Sequence, residues 1–144
     1  MCDNIFSTYG IGHRYPNSNP YIITIKGKIR GFWCYTKHIT SLDVSGCPAL
    51  TSLRCYGNNL TSLDVSKNTA LTSLDCGNNS LTSLDISKNT ALTYLRCGNN
   101  NLSASALNKI FNDLPPITYG EISYWNNPGT DTCDKRILDY KGWY

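Results

Sequence analysis

The chain has 144 residues, 40% of them hydrophobic, and a formal net charge of +3, which fits one domain with enough apolar residues for a core. Its Lys and Arg residues are scattered rather than clustered, so the basic stripe typical of nucleic-acid binding is absent and we expect no nucleic-acid partner. No apolar run approaches the ~18 residues that a membrane span needs, so we expect no membrane span.

Residues 1–28 are predicted to form an N-terminal arm and a strand cap. The start, MCDNIFSTYG, lacks the charged and apolar regions of a signal peptide, and residues 1–20 show little periodicity. The segment YIITI at 21–25, followed by Gly27, is typical of a strand and turn that covers one end of a fold. Cys2 is also the position at which a processed lipoprotein would carry its lipid, an alternative that the sequence leaves open.

A 21-residue repeat dominates residues 29–102. Four cysteines and several leucine columns keep this step: Cys34, Cys55, Cys76 and Cys97; Leu53, Leu74 and Leu95; Leu60, Leu81 and Leu102. A repeat of this length with fixed apolar positions predicts a solenoid, in which each coil buries its apolar side against its neighbours. Ile29, Phe32, Cys34 and Ile39 occupy the same registers and predict a degenerate first coil.

Each repeat divides into a half with the pattern Leu-x-Cys and a half with the pattern Leu-x-Val. Both alternate apolar and polar residues, and both close with residues that favour turns, so each coil is predicted to be strand, turn, strand, turn. Strands of successive coils should stack in parallel. Asn58, Asn79 and Asn100 end the Leu-x-Cys strands, where buried amides would bond to backbone groups of the turns.

The cysteine column is interpreted as a ladder of buried free thiols. Equivalent side chains in adjacent coils lie about 4.8 Å apart and point the same way, a separation that would strain a disulfide. The chain has no Cys-x-x-Cys pattern, and its only histidines are His13 and His38, so we expect no metal and no cofactor.

The period breaks after residue 102, and residues 103–144 predict a C-terminal cap with two short helices and a final strand. Ser103 is a suitable N-cap for a first helix that ends before Pro115 and Pro116. The apolar residues of this helix lie on one face: Leu107, Ile110, Phe111 and Leu114.

The rest of this segment first returns to the repeat and then leaves it again. Ile122-x-Tyr124-x-x-Asn127 matches the Leu-x-Cys pattern and predicts one more strand in the stack. Further on, a second helix is predicted to align three residues: Cys133, Ile137 and Tyr140.

The unit LTSLDVSKNTALTSLDCGNN, with its pattern Leu-x-x-Leu-x-Cys-x-x-Asn-x-Leu, resembles bacterial leucine-rich repeats of the cysteine-ladder type. These occur in internalin-J-like surface proteins and in secreted or surface repeat proteins of gut bacteria. The resemblance covers residues 22–144. It implies a leucine-rich-repeat solenoid with a parallel β-strand stack, here of four to five coils, and an extracellular or cell-surface protein. It also implies a non-enzymatic binding protein, often an adhesin.

Function is expected on the outward side of the Leu-x-Cys strands, which we call the aromatic face. The outward columns of the Leu-x-Val half scarcely change between repeats, whereas those of the Leu-x-Cys half vary and carry Tyr, Trp and Arg, the residues of interface hot spots. The candidate ligand-binding residues are Trp33, Tyr35, Arg54, Tyr56, Asp75, Tyr94, Arg96 and Trp125. Arg54, Asp75 and Arg96 alternate in charge at one-strand spacing and are expected to pair across coils.

We expect a monomer that binds a protein ligand non-covalently. Gly77 and Gly98 leave a shallow floor beside the aromatic residues, so a glycan-binding surface is an alternative. A structural spacer segment of a larger surface protein is another, although a spacer has no reason to vary one face while repeating the other. Enzymatic activity is not expected, because Cys34, four residues from His38, belongs to the core register and no other nucleophile–base pattern occurs.

Overall fold

A computed structural model describes residues 21–35 and 38–144, and the expected arm over residues 1–20, with Cys2, lies outside them. Five strands form one parallel sheet in the order β2-β4-β5-β6-β7, and β1 pairs in parallel with β3 in a second sheet. The elements are β1 Tyr21–Lys26, β2 Gly31–Trp33, β3 Ile39–Gly46, β4 Ser52–Arg54, β5 Ser73–Asp75, β6 Tyr94–Arg96, α1 Ala104–Asp113, β7 Glu121–Ser123 and α2 Arg136–Lys141.

The five-stranded sheet follows the period of the sequence. Leu53 lies opposite Leu74, and Leu74 lies opposite Leu95, so equivalent positions of successive repeats are direct neighbours across the ladder. Ile122 of β7 takes the next place although it comes 27 residues after Leu95, since α1 and its flanking segments fill the interval. The repeat therefore folds as the predicted parallel solenoid, with the Leu and Cys columns in one continuous core.

The Leu-x-Val half differs from the prediction. Of the Leu-x-Val segments in the described part of the chain, only β3 forms a strand. Residues 62–66 and 83–87 keep the alternation of buried and exposed side chains without forming one. Asp64 Oδ1 accepts a hydrogen bond from the backbone N–H of Ser66 at 2.8 Å, which takes that donor away from any ladder. The same bond joins the backbone N–H of Ser45 to Asp43 in β3. There the neighbouring strand β1 pairs with the segment, so β3 still forms a strand.

A column of asparagines holds the turns after the Leu-x-Cys strands. Asn100 Nδ2 donates to the carbonyl of Cys97 in its own coil and to that of Cys76 in the preceding coil, both at 3.1 Å. Its Oδ1 accepts from the backbone N–H of Leu81 at 2.9 Å. The equivalent residues of the other coils repeat this set of bonds: Asn58, Asn79 and Asn127. Each amide thus satisfies backbone groups of two coils, as predicted.

The cysteine ladder lies in the core. All four thiols of the column are buried and free, and the backbone carbonyl of Arg96 lies 3.4 Å from the Cys76 sulfur. Burial raises the pKa of the Cys34 and Cys97 thiols to about 12, and it raises those of Cys55 and Cys76 as well. Because a buried thiolate would lack solvation, these side chains act as small apolar residues.

Helix α1 covers the core after the last regular repeat. Ser103 Oγ accepts a hydrogen bond from the backbone N–H of Ala106 at 3.2 Å, which is the predicted N-cap. The predicted apolar face is buried: Leu107, Ile110, Phe111 and Leu114. At the other end, Lys141 Nζ donates to the carbonyl of Leu114 at 2.6 Å, placing a cation where the helix dipole is negative. Among the described residues no helix is long and apolar enough to cross a membrane.

The second helix is shorter than predicted and turns a different residue inward. Helix α2 begins at Arg136, so Cys133 precedes it, although the cysteine is buried. Tyr140 was predicted to align with the core but is 92% exposed, and Leu138 is the buried residue instead. Two positions along a helix correspond to about 200° of rotation, so burying Leu138 directs Tyr140 to solvent.

The last two residues extend the five-stranded sheet. Tyr144 donates its N–H to the carbonyl of Gly120, and its own carbonyl accepts from Ile122, both at 2.9 Å. The indole of Trp143 is buried and packs on Gly120, where a Cβ would lie only 2.4 Å from the ring. Gly120 therefore has no room for a side chain, and Trp143 with Tyr144 covers the outer edge of β7.

Replacing Asn100 by Ala should lower the free energy of unfolding by about 3 kcal/mol, because two buried carbonyls and one N–H lose their partner. Urea denaturation of the purified protein measures this change. Asn101→Ala is the matched control: its side chain is exposed, and we expect a change within about 0.5 kcal/mol. Equal stability of the two variants would contradict the clamping role of the column.

Stability should fall as pH rises above 9.0, the ordinary thiol pKa. Between that value and about 12 the unfolded chain releases thiol protons that the folded chain keeps, so the free energy of unfolding decreases with pH. Below pH 9 both states are protonated and the thiols contribute no pH dependence. Cys76→Ala removes one such group, so its stability should decline less steeply than that of the wild type in urea denaturation between pH 9 and 11. Parallel slopes would contradict this account.

Candidate functional site

The aromatic face presents side chains of unequal exposure. Tyr35, Tyr56 and Trp125 are 54%, 45% and 52% exposed, and they come from three coils. Tyr94 is half-buried, and burial raises its pKa. Because the strands alternate their side chains, these residues point away from the Leu and Cys columns as predicted.

Trp33 lies at the first-coil end of the aromatic face, opposite Arg54 across the ladder. Its side chain is half-buried instead of exposed, and its ring lies 3.4 Å from the position that a Cβ on Gly31 would occupy. Its Nε1 is buried without a hydrogen-bond partner in the described part of the chain. Trp33 lines a cavity of about 490 Å³ with Ile29 and Arg30 at the first coil, so it does not contribute to the centre of the aromatic face.

The charged column does not pair as expected. Arg96 lies over the ring of Tyr94, 5.3 Å from its centroid, and its Nη2 is 3.6 Å from Glu121 Oε1. Within residues 21–35 and 38–144 no ion pair closer than 4.0 Å joins Asp75 to Arg54 or Arg96. Glu121 lies opposite Tyr94, diagonal to Arg96, and Arg96 is long enough to reach it.

Asp75 instead forms a local contact. Its Oδ1 accepts a hydrogen bond from the backbone N–H of Gly77 at 3.3 Å, two residues along the chain. The carboxylate is therefore held at the start of the turn, beside the glycine floor. Its second oxygen forms no hydrogen bond with the described residues, which leaves it available to a ligand.

A cleft of about 360 Å³ opens in the middle of the aromatic face. Tyr56 forms one wall, and Gly77 and Gly98 form the floor, because they occupy the column that holds tyrosine or tryptophan in other coils. A Cβ on Gly98 would lie 2.9 Å from the carbonyl oxygen of Trp125, and one on Gly77 would lie 3.2 Å from that of Gly98. The glycines thus allow the close approach of adjacent coils and leave the surface concave.

Asn78 and Asn99 line the cleft on the turn side and were not among the candidate residues. Both have positive φ angles, 52° and 54°, in the left-handed region where asparagine is better tolerated than most residues. Asn126 Nδ2 donates to Asn99 Oδ1 at 3.1 Å. The sequence already shows the asparagine pair of this turn, as in Asn78-Asn79. In an earlier coil Gly57 takes the place of the first asparagine, so the turn does not require that amide.

Neighbouring rings hold the aromatic walls in place. Tyr56 contacts Tyr35 edge to face with ring centroids 5.9 Å apart. Trp125 stacks on the buried Tyr124 at 4.7 Å, and Lys135 Nζ lies 5.6 Å from the Trp125 ring centroid. Such contacts reduce the rotamer freedom of exposed aromatic side chains before any ligand arrives.

The described residues offer no metal site and no activated nucleophile. No group of three or more His, Cys, Asp or Glu side chains among them could hold a metal ion. Cys34 lies in the core, and burial raises its pKa to about 12, so it is a neutral thiol at physiological pH. The chemistry available on the aromatic face is hydrogen bonding, ring stacking and charge pairing.

The in-register columns of Leu, Cys and Asn define a leucine-rich-repeat solenoid of the cysteine-ladder type. The chain is similar to the functional domain of InlJ from Listeria monocytogenes, a structure whose description includes a cysteine ladder, at 34% identity and a TM-score of 0.59. The alignment covers 81% of this chain and 26% of that chain, so this chain spans about a quarter of its neighbour's length. The chain thus carries an internalin-like cysteine-ladder repeat, which confirms the resemblance found in the sequence. No protein-family model and no curated protein sequence matches it.

Gly98→Ala should destabilise the fold by about 1–3 kcal/mol, because the added methyl group would press against the backbone of Trp125. Thermal denaturation measures the loss, and the tryptophan fluorescence of the native state should shift as Trp125 is displaced. Gly57→Asn is the control: nothing lies within 4 Å of its added Cβ, and asparagine already occupies this left-handed position in later coils. A Gly98→Ala protein as stable as Gly57→Asn would contradict the close approach of Gly98 to the backbone of Trp125.

Proposed function

We propose that this chain is a non-enzymatic recognition module that binds a protein ligand through the aromatic face. The observation that carries the proposal is the contrast between the two sides of the solenoid. The Leu-x-Val side repeats one set of outward residues, whereas the aromatic face changes from coil to coil and exposes Tyr, Trp and Arg. These residue types dominate binding energy at protein interfaces.

The opposite side has the properties of a scaffold. Its aspartates are engaged within their own turns, as where hydrogen bonds from Ser66 lower the pKa of the Asp64 carboxyl. The repetition of Ser, Asp and Ser in each coil reflects this local bonding. A spacer without a ligand would need only such a surface, so the variation of the aromatic face favours binding over a spacer role.

Preorganisation of the aromatic face favours tight binding. The rings of Tyr56 and Trp125 are fixed by Tyr35 and Tyr124, and Arg96 is held between Tyr94 and Glu121. Immobilising a free side chain on binding costs about 0.5–1.5 kcal/mol, and these contacts reduce that cost.

The similarity to InlJ supports a protein-interaction role and a surface or secreted location, because that neighbour is a repeat protein of the internalin type and not an enzyme. An adhesin on a bacterial surface is the form of this function that we propose. In that setting the ligand is an extracellular protein. The exposed Arg54 would steer acidic regions of that protein toward the aromatic rings.

An array of purified extracellular proteins probed with the folded chain tests the proposal. We expect at least one protein to be captured, and Tyr56→Ala combined with Arg96→Ala should weaken its binding about 100-fold or more, since both residues occupy the centre of the face. Biolayer interferometry measures the dissociation constant. The melting temperature should change little, because both side chains are exposed.

The control variant combines Lys67→Ala with Lys88→Ala, which removes two exposed charges from the opposite side. Its affinity should stay within about threefold of the wild type. Capture that survives the Tyr56 and Arg96 substitutions would place the binding surface elsewhere. A folded chain that captures no protein would overturn the proposed protein ligand.

A further inference from the structure

We propose that the glycine-floored cleft is a subsite for a single neutral sugar ring in the pyranose form. The inference rests on the proposed function, because the cleft lies within the aromatic face, and it names the chemical group that this part of the face takes. The group would belong either to a glycan on the protein ligand or to a free polysaccharide.

The size of the cleft fits one ring. Its volume of about 360 Å³ is near the lower end of small-molecule sites, which range from about 300 to 1,000 Å³. The floor is two coils wide, from Gly77 to Gly98, and the space ends at the wall of Tyr56. An extended peptide segment would need a longer groove.

The polarity of the cleft excludes an aliphatic side chain as its occupant. Most of its lining side chains carry hydrogen-bonding groups: Asp75, Asn78, Arg96, Asn99 and Ser123. Covering them with hydrocarbon would leave several donors and acceptors unpaired, at about 1–3 kcal/mol each. A pyranose ring carries several hydroxyl groups, each of which donates and accepts, and so can satisfy many of them at once.

The charges of the cleft favour a neutral occupant. Arg96 is paired with Glu121, and Asp75 brings one negative charge beside it. An anionic ligand would meet the carboxylate of Asp75, and a cationic ligand would meet the guanidinium of Arg96. A neutral polyol can bond to both groups without repulsion.

Tyr56 gives the cleft its one aromatic wall. Its ring is 45% exposed and is fixed by Tyr35, so it offers a flat apolar surface beside polar groups. A pyranose ring has the matching combination, with C–H bonds on one side and hydroxyl groups around its edge. Aromatic side chains with one wet edge suit such a ligand.

The amide of Asn78 is not needed by the fold. Within the described chain its side chain forms no hydrogen bond, and the equivalent position in an earlier coil is Gly57. The amide nevertheless lines the cleft and remains free to bond to a ligand. Its removal separates a binding role from a structural one.

Saturation-transfer NMR with a panel of methyl pyranosides tests the subsite. The probes are the methyl glycosides of glucose, galactose, mannose and N-acetylglucosamine, and we expect at least one to bind with a dissociation constant on the order of 1–10 mM. Asn78→Gly should weaken that binding at least tenfold while leaving the melting temperature unchanged or higher, since glycine relieves the left-handed backbone. Asn101→Ala, which removes an exposed amide outside the cleft, should bind like the wild type.

Three results would overturn the subsite. They are the absence of saturation transfer to every methyl glycoside, binding that Asn78→Gly leaves intact, and stronger binding of a charged sugar such as methyl glucuronide than of the neutral ones. Protein capture lost in the Tyr56 and Arg96 variant but with no glycoside bound would leave the proposed function standing alone. Glycoside binding without protein capture would support the sugar subsite and contradict the proposed protein ligand.

Enzymatic deglycosylation of a captured protein distinguishes the two sources of the ring. Capture that weakens after deglycosylation supports a ring carried by the protein ligand. Glycoside binding together with capture that deglycosylation does not change supports a free polysaccharide.

Discussion

Every coil of this solenoid must satisfy the backbone groups at its turns, and a column of asparagine amides, most of them buried, does so. Asn58, Asn79, Asn100 and Asn127 each join the carbonyls of two coils and accept one N–H of an earlier segment. Without them the tight turns would leave polar groups orphaned in the core. Because each amide fixes its turn, the residues just before the asparagine take equivalent positions in every coil. The side chains of the aromatic face are therefore evenly spaced.

On this regular scaffold, the outward side chains of the aromatic face differ from coil to coil. In the column just after each ladder cysteine, a large residue such as Tyr56 or Trp125 makes a ridge, and a glycine makes a depression. The asparagine maintains the turn beside either kind of residue, although Gly98 lies too close to the backbone of Trp125 to take a larger side chain without strain. In the proposed function, a few outward positions on a constant scaffold therefore set recognition, with protein contacts on the ridges and the sugar ring in the depression.

The sequence predicted the features that depend on its 21-residue period and on local capping residues. A constant step of 21 residues determined the register of Leu53, Leu74 and Leu95, and Ser103 marked the start of α1. It did not predict that the backbone N–H of Ser66 would bond to Asp64 instead of to a neighbouring strand. Nor did it predict that Arg96 would form its ion pair with Glu121 and not with Asp75. Both outcomes depend on competing partners, and Glu121 reaches its place only after an insertion that interrupts the period.

The two sides of the solenoid are also joined differently. An uninterrupted backbone ladder runs along the aromatic face through β2, β4, β5, β6 and β7. In the later coils the other side is joined by side-chain amides instead: Asn68 donates to Val44 and Cys47, and Asn89 donates to Val65 and Asn68. The ladder is the stiffer connection. A pulling force along the solenoid axis would therefore separate the coils first on the Leu-x-Val side, and the solenoid would bend. The spacing of residues on the aromatic face would stay nearly constant.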